Sequence, residues 1–153
     1  MPEQLPSPAE LLPHSGLALV LHELTSLEPG KSATGLWTPD ERYYEGHFGI
    51  LPGHWIEESV NLVAACAAIA GNPGVVPKIR EHTGKFLRQV ELKMPPEDLE
   101  VLEVTADFSD LETTIVTQGI ITIARGSGRA FVDGKKVYTA GLIEASWINQ
   151  HAA

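Results

Sequence analysis

Pro52-Gly53-His54-Trp55-Ile56-Glu57-Glu58-Ser59-Val60-Asn61-Leu62-Val63-Ala64-Ala65-Cys66-Ala67-Ala68-Ile69-Ala70 is the stretch that decides the fold, and Gly71-Asn72-Pro73-Gly74 closes it. Pro-Gly opens a helix and Gly-Asn-Pro-Gly stops one. From Ser59 onward this helix is apolar on nearly every side, so it belongs inside a protein. Glu58, near its start, is then an anomaly, because a carboxylate on a buried helix needs a reason to be there. Just upstream, Tyr44-Glu45-Gly46-His47-Phe48-Gly49-Ile50-Leu51 sets His47 in a glycine-flanked turn.

Working outward, the rest of the chain reads mostly as strands. Pro8 to Leu12 is a short helical turn stopped by Pro13, and Leu17 to Leu27 is apolar and β-compatible. Glu28-Pro29-Gly30-Lys31 turns the chain back into Ser32 to Trp37, and Thr38 to Gly49 is the loop that delivers His47. After the helix, Lys85 to Met94, Leu99 to Phe108 and Thr113 to Ala124 have strand character. Arg129 to Val132 and Lys136 to Trp147 flank Asp133-Gly134, a two-residue hairpin turn. A lone helix that is apolar all round must be wrapped, and a curved antiparallel sheet is the simplest wrapper. The pattern predicts an α+β hot-dog fold, with residues 1–153 forming one domain.

Composition narrows the function. Eleven basic and 20 acidic residues give a formal charge of -9, which argues against a nucleic-acid binder. Cys66 is the one cysteine, so no disulfide framework exists, and a small core hydrophobe is its expected role. The start of the chain shows no secretory pattern, and the run from Leu62 to Ala70 is far short of the roughly 20 residues that span a bilayer. A cytoplasmic protein without membrane contact is expected. The histidine and cysteine spacings give no metal ligand set, and no glycine-rich phosphate loop supports a nucleotide cofactor.

Four motifs, in order, resemble the 3-hydroxyacyl-[acyl carrier protein] dehydratases of bacterial fatty-acid synthesis. Leu11-Leu12-Pro13-His14 resembles the family's "LLPHR", and Asp40-Glu41-Arg42-Tyr43-Tyr44-Glu45-Gly46-His47-Phe48 resembles "N-E-x-F-F-x-G-H-F". Pro52-Gly53 with Glu58 resembles "P-G-V-L-x-x-E-A-x-A-Q", and Val132-Asp133-Gly134-Lys135 resembles "V-D-G-K". The resemblance implies His47 and Glu58 as the catalytic pair and the Gly53 N–H as oxyanion donor. It also implies a homodimer, extending to a higher oligomer in some arrangements, in which each site draws its two side chains from different protomers. Two departures stand out. Only Phe48 to Leu51 separate His47 from Pro52, about three residues fewer than the family pattern, and Leu62 stands where the family has glutamine.

These residue types suit the chemistry. Dehydrating a 3-hydroxyacyl thioester removes a proton from C2 and expels hydroxide from C3. An imidazole titrates near neutral pH and serves as the base, here His47. Glu58 serves as the acid if its apolar neighbours Trp55, Ile56 and Leu62 desolvate it and favour its neutral form. Free N–H groups at the helix start stabilise negative charge on the thioester oxygen, and Gly53 allows close approach. His54 and Trp55, in the first helical turn, are expected at the substrate.

Lys85, Arg88 and Lys93, in a run of basic residues that also includes Lys78 and Arg80, are expected to meet the carrier of the acyl group. That carrier is an acidic acyl carrier protein or coenzyme A. Read without the motifs, His47 is a turn histidine, Glu58 a solvent-facing helix-start acid and Glu57 its equal in that role. His14 and His22 read as packing residues, and His54 as a surface histidine. Two other functions use the same fold: a thioesterase in which Glu58 activates water, and a non-catalytic acyl-binding subunit.

Overall fold

The computed structural model describes residues 4–14, 16–91 and 100–150. Its elements follow in the order α1 (Pro8–Leu11), β1 (Glu23–Glu28), β2 (Ser32–Trp37), α2 (Gly53–Gly71), β3 (Lys78–Phe86), β4 (Leu102–Val116), β5 (Gly119–Val132) and β6 (Lys135–Gln150). The strands form one antiparallel sheet in the order β1-β2-β4-β5-β6-β3. With α2 lying across the sheet's inner face, this is the hot-dog fold.

Burial explains why α2 sits where it does. Val60, Val63, Ala64, Cys66, Ala67 and Ala68 are fully buried against an inner sheet face of Ala33, Trp37, Val104, Ala106, Ala130 and Ile143. Small side chains let helix and sheet approach closely. A Cβ on Gly128 of β5 would run into Val60 and Ile143, so the helix rests on that glycine. The far end of α2 is tied to the β1–β2 turn, where the Gly30 N–H donates to the Ala67 carbonyl at 2.7 Å.

The sheet differs from the sequence expectation in three places. Leu17 to Leu27 is not one strand: residues Gly16–Ala18 form a 3-10 turn and β1 starts at Glu23. β3 begins at Lys78, seven residues before the expected Lys85, and it forms an edge of the sheet. Thr113 to Ala124 is not one strand: it is broken by the turn at Thr117-Gln118, so that 113–116 end a β4 far longer than expected and 119–124 begin a β5 that runs on through the expected 129–132. Asp133 and Gly134 do form the β5–β6 turn, with φ of 50° and 75°. The second half of the expected strand 85–94 lies largely outside the described residues. Among the described residues no helix is long and apolar enough to cross a membrane.

Candidate active site

The loop that carries His47 is anchored before it reaches the histidine. Asp40 accepts from the Arg42 backbone N–H at 2.9 Å and pairs with the Arg42 guanidinium at 2.7 Å. That hydrogen-bonded guanidinium holds the Asp40 carboxyl below its usual range. The Tyr43 hydroxyl donates to the Leu17 carbonyl at 2.8 Å, and its ring meets Trp37 and Trp55 edge-on with centroids 5.1 Å apart in each case. This aromatic chain pins the loop to β2 on one side and to the first turn of α2 on the other.

Beyond Tyr44 the backbone coils tightly, with φ of 75°, 54° and 75° at Gly46, Phe48 and Gly49. The Leu51 N–H donates to the Val90 carbonyl at 2.8 Å, and Ile50 bridges Glu91. The loop is thereby zipped to the segment that follows β3. The connection from His47 to Pro52 is closed by backbone pairing rather than left slack.

A cavity of about 600 Å³ opens between loop, helix start and β3 exit. His47, Phe48, Ile50, Pro52, Gly53, Ile56, Phe86 and Arg88 are among its walls. The N-terminus of α2 and the exposed His47 therefore line the same cavity. A Cβ on Gly53 would meet the Phe86 ring at 2.6 Å, so glycine here is what lets that ring cover the helix start. The Trp55 N–H donates to the Pro52 carbonyl at 3.1 Å, while the N–H groups of Gly53 and His54 precede the helix ladder and form a site for negative charge. Arg88, which lines the cavity, lies 3.8 Å from the almost wholly buried Glu100 carboxylate.

His47 and Gly53, expected at the site, share this cavity, and so does Arg88. Glu58 is half-buried one turn further along α2 and is not among the cavity walls. His54 is exposed and its ring tilts against Trp55 at 4.7 Å; neither lines the cavity. Lys85 is exposed near the end of β3, and Lys93 falls outside the described residues. Among the described residues no three His, Cys, Asp or Glu side chains gather closely enough to hold a metal ion.

One ionisable group of this region escaped the sequence reading. Glu81, on β3, accepts a 2.8 Å hydrogen bond from the Tyr138 hydroxyl of β6. Burial, together with the nearby charges of Glu57 and Glu58, pushes its carboxyl up to about 8. The only available signal was a carboxylate at an inward position of a strand, and that strand was itself not expected.

No family model matches the chain. Individual proteins do. The chain is 33% identical over 144 residues to the 3-hydroxyacyl-[acyl-carrier-protein] dehydratase FabZ of Bacillus velezensis, covering 87% of this chain and 90% of that protein. Among solved structures it is similar to the dehydratase heterocomplex ApeI:P from Xenorhabdus doucetiae, with a TM-score of 0.66 at 10% identity, covering 96% and 93% of the two chains. It is also similar to a hypothetical thioesterase bound to coenzyme A from Streptococcus pneumoniae, with a TM-score of 0.61 at 8% identity, covering 86% and 88%. At such identities the structures speak for the fold, while the sequence match carries the family. With its histidine loop, Pro-Gly helix start and buried central helix, the chain belongs to the FabZ family of hot-dog proteins.

Proposed function

We propose that this protein dehydrates a 3-hydroxyacyl thioester to the trans-2-enoyl thioester. The observation that carries this reading is that His47 and Gly53, at the N-terminus of α2, line one cavity. His47 removes the C2 proton. The Gly53 N–H, at the positive end of the helix, holds the negative charge that develops on the thioester oxygen, a role worth about 3–4 kcal/mol to a transition state. Glu58 protonates the departing C3 hydroxyl.

The site needs a second chain. Glu58 does not line the cavity of its own chain, so the acid in each site comes from the partner of a homodimer. β3 is a sheet edge with an open ladder, and beside it Phe48 is wholly exposed while Phe86 and Leu87 are about half exposed. An open edge flanked by apolar side chains is a surface on which another strand pairs. The acyl chain rides on acyl carrier protein or coenzyme A, and Arg88 at the cavity, with Lys85 exposed near the end of β3, meets the negative charge of either carrier.

The test is incubation with a 3-hydroxyacyl thioester while enoyl absorbance and thiol release are followed together. Enoyl product without thiol release is expected, and His47→Ala should lower turnover by at least about 100-fold. Thiol release without enoyl product would favour a thioesterase. Silence in both channels would favour an acyl-binding subunit.

A further inference from the structure

Phe86 stands against the helix start at which the proposed reaction gathers negative charge. It lines the cavity, and its ring tip fills the space that a side chain at residue 53 would take. A Cβ there would lie 2.6 Å from Phe86 Cζ and 2.9 Å from Cε1. Gly53 therefore has this ring beside it in place of a side chain of its own. The ring is about half exposed, and an exposed side chain turns freely unless its neighbours hold it.

The neighbours do hold it. Across the β3–β6 ladder Phe86 pairs with Tyr138, and the two rings pack with centroids 4.8 Å apart at 39°. Tyr138 is fully buried, and its hydroxyl donates to Glu81 at 2.8 Å. That hydroxyl lies over Gly84, where a Cβ would come within 2.7 Å of its oxygen. Past the end of β3 the Leu87 N–H donates to the Val137 carbonyl at 2.8 Å, so backbone pairing continues on both sides of Phe86. Glu81 Oε2 is buried with no hydrogen-bond partner among the described residues, a placement that costs stability. Fixing the phenol that backs a cavity wall gives this costly acid a use.

We propose that Phe86 is a specificity-determining residue that closes the C2 side of the acyl site to branched substrates, with Tyr138 and Glu81 as the positioning residues that keep its ring in place. The inference rests on the dehydratase reading, which puts the thioester oxygen at the Gly53 N–H. Such a donor works at about 3 Å from the oxygen it holds. C2 is bonded to the carbon that bears this oxygen, so it comes to rest beside the ring. An unbranched chain presents only hydrogen there. A methyl group on C2 needs space that the ring tip already fills. A 2-methyl-3-hydroxyacyl thioester still has one C2 proton to lose, so its rejection is a matter of room and not of reactivity. A wall rejects by size only while it stays rigid, which is what the packing and the Tyr138–Glu81 hydrogen bond supply.

The test compares kcat/KM for the pantetheine thioesters of 3-hydroxybutyrate and 2-methyl-3-hydroxybutyrate, pantetheine being the arm common to both carriers. One methyl group in a tight pocket is worth about 10–200-fold. Wild type should favour the unbranched thioester by at least about ten-fold, and Phe86→Ala should cut that preference by about ten-fold or more. Tyr138→Phe and Glu81→Leu, which release the brace, should erode it in the same direction by less. Glu81→Gln keeps an acceptor for the Tyr138 hydroxyl and should keep the wild-type preference. A general loss of activity lowers both rates and leaves their ratio alone, so the ratio reports the wall.

Equal use of both thioesters by wild type would overturn the inference, as would a preference unchanged in Phe86→Ala. If Phe86→Ala does not fold, a preference unchanged in both Tyr138→Phe and Glu81→Leu overturns it. Calorimetric binding of the butyryl and 2-methylbutyryl amides of pantetheine's amine analogue, which cannot be hydrolysed, separates this inference from the reading beneath it. If wild type dehydrates neither thioester but binds the unbranched amide in preference, and the brace variants lose that preference, the dehydratase reading fails and the wall stands. Dehydration of both thioesters at equal rates sinks the wall alone. Neither turnover nor binding sinks both.

Discussion

At neutral pH the Glu81 carboxyl keeps its proton because burial and two neighbouring acids disfavour the anion. The same fact makes it a stability switch. Its folded-state value, about 8, lies above the roughly 4.3 of an unfolded glutamate, so the folded state binds the proton more tightly. That contribution is fully present below about pH 4.3 and is lost as pH rises to about 8. Melting temperatures of wild type and Glu81→Gln should therefore diverge across this window, with the wild type falling more steeply. Parallel curves would show that Glu81 is not a buried acid. Cys66, whose thiol burial raises to about 12, and Tyr138 titrate above this range and leave it clear. Of the cavity-lining residues, His47 and Gly53 stood out in the sequence by motif and spacing, and Arg88 by its run of basic residues. Glu81 was not, since a single acid between Arg80 and His82 has the look of a solvated stretch until its strand partners are known.

At the scale of elements, the aromatic chain from Trp37 through Tyr43 to Trp55 couples β2, the histidine loop and α2. Trp37 is completely buried, so Trp37→Ala should cost about 3–5 kcal/mol in urea unfolding and reduce turnover as the loop loosens. A cost below about 1 kcal/mol would mean that the aromatic chain is incidental. The helix and the β5–β6 hairpin were readable because a Pro-Gly start, a Gly-Asn-Pro-Gly stop and Asp-Gly each have one strong local meaning. β4 was harder. Val104, Ala106 and Phe108 point inward, then the register shifts between Phe108 and Asp110, and beyond it polar and apolar residues alike stand exposed. That irregularity breaks the period of two on which strand reading depends. β3 failed for a different reason: its inward positions are Ile79 and Glu81, so one apolar residue had to announce a whole strand.

At the scale of the molecule, the proposed reading makes one chain half of a reaction site: His47 and the start of α2 line one cavity, and Glu58 does not. On that reading, a second copy docked on the β3 edge supplies what is missing. The most direct test mixes two inactive variants, His47→Ala and Glu58→Gln, unfolded together and refolded. If each site takes its histidine from one protomer and its glutamate from the other, every hybrid dimer holds one intact site, and random pairing should restore about a quarter of wild-type dehydration. A mixture that stays as inactive as either variant alone, while native mass spectrometry shows that hybrids have formed, would contradict the shared site.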